Sequence, residues 1–269
     1  MQTRITAPRE GSRSEAPRAS ARQADAGMGA AVRLDGVVKH FAPVRRGSVP
    51  VTALDGVTLD VGEGEIVAVV GPSGCGKTTL LELACGLIAP DAGTVEAAPA
   101  ALMAQSDLLL PWASAVDNAA LALRVAGLSR AAARERAAPL LRDFGLAGFE
   151  RARPHELSGG MRQRVAFART LLAGRPLLCL DEPFGALDAL TRQEMQSWLA
   201  GALAADPRTV LLVTHDVEEA LVLADRVVVL SPRPGRAVAT LTVEAPRPRR
   251  RTDPALVALR ERALSELRA

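Results

Sequence analysis

The clearest chemical signal in the sequence is a run of eight residues at positions 71–78. They read Gly-Pro-Ser-Gly-Cys-Gly-Lys-Thr and follow the apolar run Ile66–Val70. The spacing G-x-x-x-x-G-K-[ST] is that of a loop that binds phosphate between a strand and a helix. Its glycines allow a tight turn whose backbone N–H groups face an anion, and the helix N-terminus adds partial positive charge. This segment predicts a nucleoside triphosphate site.

The polar side chains of the loop have separate predicted roles. We expect Lys77 to reach the β- and γ-phosphates and Thr78 to bind Mg²⁺ through its hydroxyl. The only other lysine in this arginine-rich chain is Lys39, so a compact ammonium stands where a point charge must fit against phosphate. The predicted nucleotide contacts are Gly71, Pro72, Ser73, Gly74, Cys75, Gly76, Lys77, Thr78 and Thr79.

Two further apolar runs end in polar residues that could act on the same phosphates. Leu177–Leu180 is followed by Asp181 and Glu182, and Thr209–Val213 leads to His215. Adjacent carboxylates after a buried strand are poorly explained by packing. Asp181 is suited to hold Mg²⁺ through water, and Glu182 to polarise an attacking water. A lone histidine is more often structural, but the carboxyl ends of strands in an open α/β sheet line one crevice.

Three candidates stay open when only the residues are considered. Gln105 ends a short apolar run and is either a turn residue or a partner of a metal-bound or attacking water. Phe41 either packs locally or stacks on a purine base. Leu157–Met161 reads Leu-Ser-Gly-Gly-Met, and its Ser158 is either an ordinary helix N-cap, which the residues alone favour, or part of a second anion site.

Hydrophobic patterns supply the elements that hold these residues. Val32–Val38 and Val51–Val61 alternate as antiparallel strands do, whereas the run at 177–180 is continuously apolar, as in a central parallel strand. Residues 111–172 are almost wholly helical in pattern, with expected helices at Ala115–Val125, from Ser129 to about Phe144, and at Arg162–Leu172. We therefore expect an α/β fold: a P-loop core with a mostly parallel sheet, an N-terminal antiparallel β subdomain and an inserted helical subdomain at about 111–172.

The termini and the composition add a few limits. Residues 1–30 have the composition of a disordered tail. After residue 230 the chain is punctuated by Pro and Arg, and the basic run Arg247–Arg251 is predicted to be a solvated linker before a helix at Pro254–Leu267, with contact to anionic lipid the less favoured reading. The predicted domains are thus 31–242 and a linker with a helix at 243–269.

The net charge of +3 does not argue for nucleic acid. Three cysteines without zinc spacing fit a reducing cytosol, and no apolar run is long enough to cross a membrane.

The order of these motifs resembles that of the ATP-binding-cassette ATPases, P-loop NTPases with a RecA-like core, over roughly Val32–Thr242. The resemblance implies ATP and Mg²⁺ as cofactors and a head-to-tail homodimer in which Ser158, Gly159 and Gly160 meet the γ-phosphate held by the opposite subunit. The segments that carry it are a Walker A loop at Gly71–Thr78, a Q-loop glutamine at Gln105, a signature loop at Leu157–Met161, a Walker B strand at Leu177–Asp181, the catalytic base Glu182, a D-loop ending at Asp188, the switch histidine His215 and an adenine-stacking ring at Phe41.

Within that family, three segments look most like the ATPases of nitrate, sulfonate, taurine and thiamine-precursor importers: residues 105–112, residues 158–164 and Ser231–Gly235. That resemblance implies a separate permease that docks near Leu108–Ala115, a separate solute-binding protein, and a position at the cytoplasmic face of the plasma membrane, with no nucleic-acid partner. The alternatives are a soluble cassette ATPase acting on nucleic acid or ribosomes, and a monomeric P-loop switch. The chain has no coiled-coil or zinc insertion typical of the former, and a signature loop is of no use to the latter.

Overall fold

The computed structural model describes residues 30–42, 49–205 and 207–268. The predicted tail lies outside these residues except for Ala30, which begins the first strand. The strands are β1 (Ala30–Phe41), β2 (Val51–Gly62), β3 (Ile66–Val70), β4 (Ala92–Ala97), β5 (Ala100–Met103), β6 (Leu177–Asp181), β7 (Thr209–Thr214), β8 (Arg226–Leu230) and β9 (Ala237–Thr242). The helices are α1 (Lys77–Ala84), α2 (Ala115–Ala119), α3 (Leu121–Val125), α4 (Arg130–Asp143), α5 (Gly159–Leu172), α6 (Ala189–Ala205), α7 (Val217–Leu223) and α8 (Pro254–Arg268).

A six-stranded sheet forms the centre of the molecule, in the order β5-β6-β7-β3-β8-β9. All neighbouring strands run parallel except β9, which is antiparallel to β8. Every residue of β3, β6 and β7 is buried, as their continuous apolar runs predict. In register, Val70 pairs with Thr214 and Asp181 with Val213. The chain segments that follow these three strands therefore leave the sheet at the same edge.

The two faces of the central sheet are covered by different layers. Because side chains alternate along a strand, Val67 and Val69 of β3 face one cluster, whereas Ala68 and Val70 face the other. The first cluster lies between the sheet, α1 and a three-stranded antiparallel sheet of order β2-β1-β4. The second contains apolar residues of α2 to α8. The prediction of an α/β fold with an antiparallel β layer and an inserted helical region is confirmed.

The inserted region differs from the prediction in detail. One helix was expected at Ala115–Val125, but α2 and α3 are separated at Ala120, whose ψ of −4° departs from helical values. The helix expected from Arg162 begins at Gly159, because the Ser158 side chain accepts a hydrogen bond from Met161 N and caps an earlier turn. Among the described residues, no helix is long and apolar enough to cross a membrane.

The C-terminal region departs most from the prediction. Strand β9 was not expected; it is an edge strand whose buried positions are few, so its pattern is weak. The prediction that Arg247–Arg251 forms a solvated linker is wrong for Arg249, whose side chain is 2% exposed and donates to the carbonyls of Ala245, Leu221, Ala224 and Val243. Leu256 and Ala263 of α8 are buried in the same cluster as the helices of the core. The segment after β9 thus packs on the domain.

Candidate active site

A cleft of about 510 Å³ opens at the edge of the sheet where β3 and β6 end. This volume is in the range of small-molecule and cofactor sites, roughly 300–1,000 Å³. Most of the side chains and loop residues named in the sequence analysis line it. The lining residues are Phe41, Val51, Ala53, Ser73, Gly74, Gly76, Lys77, Thr78, Thr79, Gln105, Asp181, Glu182 and Arg233.

The glycine-rich loop is held tightly between β2 and α1. Gly76 has φ of +106°, and a Cβ atom there would lie 2.6 Å from Leu54 Cδ2 and 2.8 Å from Ala53 O. Only glycine fits both the left-handed backbone and the close contact with β2. Lys77 begins α1, and its Nζ donates to the carbonyl oxygens of Gly71 at 2.7 Å and Pro72 at 3.1 Å. The ammonium therefore lies across the loop, which curls around it.

Thr78 and Asp181 form a pair of oxygen donors at the base of the cleft. The Thr78 hydroxyl donates to Asp181 Oδ2 at 2.8 Å, and Asp181 is 3% exposed. Burial raises the pKa of Asp181; the Thr78 hydrogen bond opposes this, and the nearby charge of Glu182 adds to it. A carboxylate that is buried without a cation is destabilised, and a cation bound beside it would restore its usual ionisation.

Glu182 and His215 are brought together although they are far apart in sequence. His215 Nδ1 lies 2.6 Å from Glu182 Oε2, and the Glu182 side chain is mostly buried while that of His215 is mostly exposed. Glu182 has φ of +49°, which is uncommon for a residue with a side chain, and its N–H donates to Val213 O at 2.9 Å. Such backbone strain is frequent at functional sites, where surrounding contacts must hold it.

Gln105 and Phe41 also line the cleft. Phe41 is 40% exposed, and Lys39 Nζ lies 5.8 Å from its ring centroid. The segment after Gln105 is anchored to α5: Arg162 Nε donates to Asp107 Oδ2 at 2.8 Å, and Arg169 donates to the carbonyls of Asp107 and Leu108 at 2.7 and 2.8 Å. The position of Gln105 is thus linked to the helix that Ser158 caps.

Eight predicted site residues do not line this cleft: Gly71, Pro72 and Cys75 of the glycine-rich loop, His215, and Ser158, Gly159, Gly160 and Asp188. Ser158 and Gly159 are exposed at the N-terminus of α5, Gly160 is half-buried, and Asp188 is exposed at the start of α6, where its carboxylate accepts from Leu190 N and Thr191 N. These two segments meet each other, since a Cβ atom on Gly160 would lie 3.2 Å from Leu187 Cδ2. They form one surface outside the chain's own cleft.

Arg233 also lines the cleft, although it was not predicted from the sequence. It lies in the loop between β8 and β9, and its Nε donates to Gly74 O at 3.0 Å. Residues Ser231–Gly235 contributed to the family resemblance but were not predicted to lie at the site. A usable signal was present, because a Pro- and Gly-rich loop follows an apolar strand there, as the other site residues follow theirs.

Comparison with known proteins gives consistent matches. Residues 54–185 match the family model described as ABC transporter. The taurine import ATP-binding protein TauB of Chromobacterium violaceum is 46% identical over 232 residues, which cover 80% of this chain and 89% of that protein. The aliphatic sulfonates import ATP-binding protein SsuB 1 of Rhodococcus jostii is 49% identical over 223 residues, covering 80% and 87%. A dimeric structure of the ATP-binding cassette MJ0796 bound to ADP and Pi superposes with a TM-score of 0.73 at 29% identity, covering 80% of this chain and 99% of that chain.

Proposed function

Because this chain belongs to the ABC transporter family and is an ATP-binding ATPase, we propose that it is the motor subunit of an importer for taurine or a related sulfonate. The solute class is supported by the TauB and SsuB relatives. The observation that carries the mechanism is the convergence of Lys77, Thr78, Asp181 and Glu182 on one cleft, with His215 bonded to Glu182.

The oxygen donors of the cleft fit Mg²⁺. Thr78, Asp181 and Gln105 offer a hydroxyl, a carboxylate and an amide, and the described residues contain no cluster of three or more His, Cys, Asp or Glu side chains that would hold a metal without a substrate. Mg²⁺ usually takes one or two protein carboxylates together with phosphate oxygens and water. When bound it neutralises charge that develops on the β- and γ-phosphates.

The other residues bind and orient the reacting groups. The loop N–H groups and Lys77 hold the phosphates, and Phe41, which lines the cleft, stacks on the adenine. Glu182 accepts a hydrogen bond from the attacking water and polarises it toward the γ-phosphorus. The ring N–H of His215 holds the Glu182 carboxylate in place, so that its free oxygen faces the cleft.

The signature loop and D-loop are proposed to act on a second copy of the chain. Ser158–Gly160 and Asp188 lie on one surface outside their own cleft, and α5 is long enough for its N-terminus to attract an anion. In a head-to-tail homodimer this surface completes the partner's site around the γ-phosphate. The dimeric form of the MJ0796 cassette supports this arrangement.

The permease contact is proposed at Leu108–Ala115. Leu108 is 64% and Trp112 73% exposed, whereas Leu109 is buried and Asn118 fixes the segment by bonding the backbone of Leu110. Exposed apolar side chains on a well-anchored segment are typical of a docking surface. The chain would then be peripheral, at the cytoplasmic face of the plasma membrane, with a separate solute-binding protein and no nucleic-acid partner.

Uptake of a labelled solute tests this function. A host strain lacking the gene should lose uptake of labelled taurine or an alkanesulfonate, and wild-type protein should restore it. Glu182→Gln protein, produced at the same level, should not. If deletion leaves sulfonate uptake intact but removes uptake of nitrate or a thiamine precursor, the solute class is wrong. If no uptake changes, an importer role is wrong and a soluble cassette ATPase is favoured.

A further inference from the structure

The loop between β8 and β9 lies directly against the phosphate-binding loop. Arg233 Nε donates to Gly74 O at 3.0 Å. A Cβ atom on Gly74 would lie 2.8 Å from Arg233 Nη2, so the guanidinium packs against a position that only glycine leaves open. The glycine-rich loop therefore has a cationic side chain on its surface, supplied by a segment about 160 residues later in the chain.

This loop is fixed before any ligand binds. Gly235 pairs with β2 through both backbone groups: its N–H donates to Ala53 O at 2.9 Å and its carbonyl accepts from Asp55 N at 3.0 Å. A Cβ atom on Gly235 would lie 2.1 Å from Cys75 O, so the backbones of the two loops are in contact. Arg236 adds an ion pair to Asp55 at 2.5 Å. Arg233 is thus presented at the cleft without the ordering cost of a mobile loop.

The charge of Arg233 is available for a ligand. Lys77 and Arg233 are the basic side chains among the described residues that line the cleft. Over residues 30–42, 49–205 and 207–268, Arg233 makes no ion pair with a carboxylate, whereas Arg236 in the same loop does. With Nε engaged by Gly74 O, both terminal amino groups remain free as donors. A guanidinium in this state suits bidentate contact with phosphate oxygens.

We propose that Arg233 binds the phosphate chain of the nucleotide held by the same subunit, as a second cation beside Lys77. This role depends on the nucleotide site alone and not on the transport partner. The competing explanation is that Arg233 only braces the loop through Gly74 O. The two differ in how they respond to salt, because an ionic contact with phosphate is screened and a brace to a neutral carbonyl is much less so.

Isothermal titration of purified protein with Mg-ATP tests the proposal. We expect Arg233→Ala to weaken ATP binding about tenfold at about 50 mM salt. This loss is at the lower end of the range for a charge-assisted hydrogen bond, because the side chain is exposed. This difference from wild type should shrink to about threefold or less at about 500 mM salt. Arg233→Lys, which keeps the charge but loses the fork, should recover part of the affinity. Arg250→Ala, which removes an exposed arginine that does not line the cleft, is the matched control and should bind ATP within about twofold of wild type.

The remaining outcomes overturn the proposal. Unchanged affinity at low salt shows that Arg233 makes no contact with the nucleotide. A loss that is equal at both salt concentrations, with a lower melting temperature of the nucleotide-free protein, shows that Arg233 only braces the loop. Lys77→Ala checks the site itself: if this variant binds ATP as wild type does, or if wild type does not bind ATP, the assignment of the nucleotide site is wrong and the role of Arg233 falls with it.

Discussion

Arg249 offers the sharpest test of how the C-terminal segment is held to the domain. Its guanidinium donates to four carbonyl oxygens, those of Ala245 at 2.6 Å, Leu221 at 3.0 Å, Ala224 at 2.5 Å and Val243 at 3.0 Å. Two of these carbonyls lie at the C-terminal end of α7, where helix carbonyls lack partners and a cation is favourable. Arg249→Met keeps most of the apolar stem and removes all four donors.

The cost follows from these contacts. A hydrogen bond to a charged group contributes about 1.5–3 kcal/mol net, but four bonds from one group do not add, and burial of the guanidinium already offsets part of the gain. We therefore expect a loss of about 2–4 kcal/mol in the free energy of unfolding. For a domain of this size, about 2–4 °C of melting temperature corresponds to each kcal/mol, which gives a decrease of roughly 4–16 °C.

Differential scanning calorimetry of nucleotide-free protein measures this effect. Arg250→Met is the matched control, because Arg250 is the exposed neighbour in the same run and makes no side-chain hydrogen bond with the described residues. Limited proteolysis should also cut the Arg249→Met protein within residues 243–253 faster than the control. If the two variants melt within about 1 °C of each other, the four bonds do not hold the segment and the reasoning is wrong.

Three further predictions concern the site and its surroundings. Glu182→Gln should lower ATP turnover at least about 100-fold while ATP binding is kept; loss of binding as well would make Glu182 structural. Lys77→Ala and Ser158→Arg homodimers should each be inactive. Mixing the two variants should give ATP-dependent mixed dimers, because one of the two composite sites is then intact. If two folded variants form no mixed dimer, the sites are not shared between subunits. Burial, with the charges of Asp216 and Glu182, raises the pKa of Glu219 to about 8. The native state thus keeps a proton that the unfolded chain releases above about pH 4.3, and stability falls as pH rises toward 8. Glu219→Gln should therefore raise the melting temperature by an amount that grows from about pH 5 to 8; a gain independent of pH would contradict this.

Local patterns in the sequence were sufficient to place the main elements of the cleft. The spacing of the glycine-rich loop predicts both its turn and the helix after it. Continuous apolar runs identify β3, β6 and β7 as buried parallel strands. Because such strands end at one edge of a sheet, the polar residues after them could be expected near the loop. The 2.6 Å contact between Glu182 and His215 could not be predicted in this way, because the sequence does not determine the side-chain rotamers of the two residues.

The features that could not be predicted from the sequence depend on contacts made only in the folded chain. Arg249 and Arg250 are chemically identical neighbours, and only the position of the α7 carbonyls makes one buried and the other exposed. Arg233 likewise has no local pattern that separates it from Arg236; its role depends on where the β8–β9 loop meets Gly74. Strand β9 is mostly exposed, so its hydrophobic alternation was too weak to indicate a strand.

The anchoring of the segment after Gln105 has a mechanical consequence. Arg162 donates both to Asp107 Oδ2 at 2.8 Å and to Leu157 O at 2.9 Å, so one side chain joins that segment to the residue just before the Ser158 turn. Arg169 holds the same segment about two helix turns further along α5. A displacement of residues 107–108 would therefore be passed to the start of α5. In the proposed importer, a permease bound near Trp112 would therefore act on the helix that carries Ser158, and so on the proposed contact between two subunits.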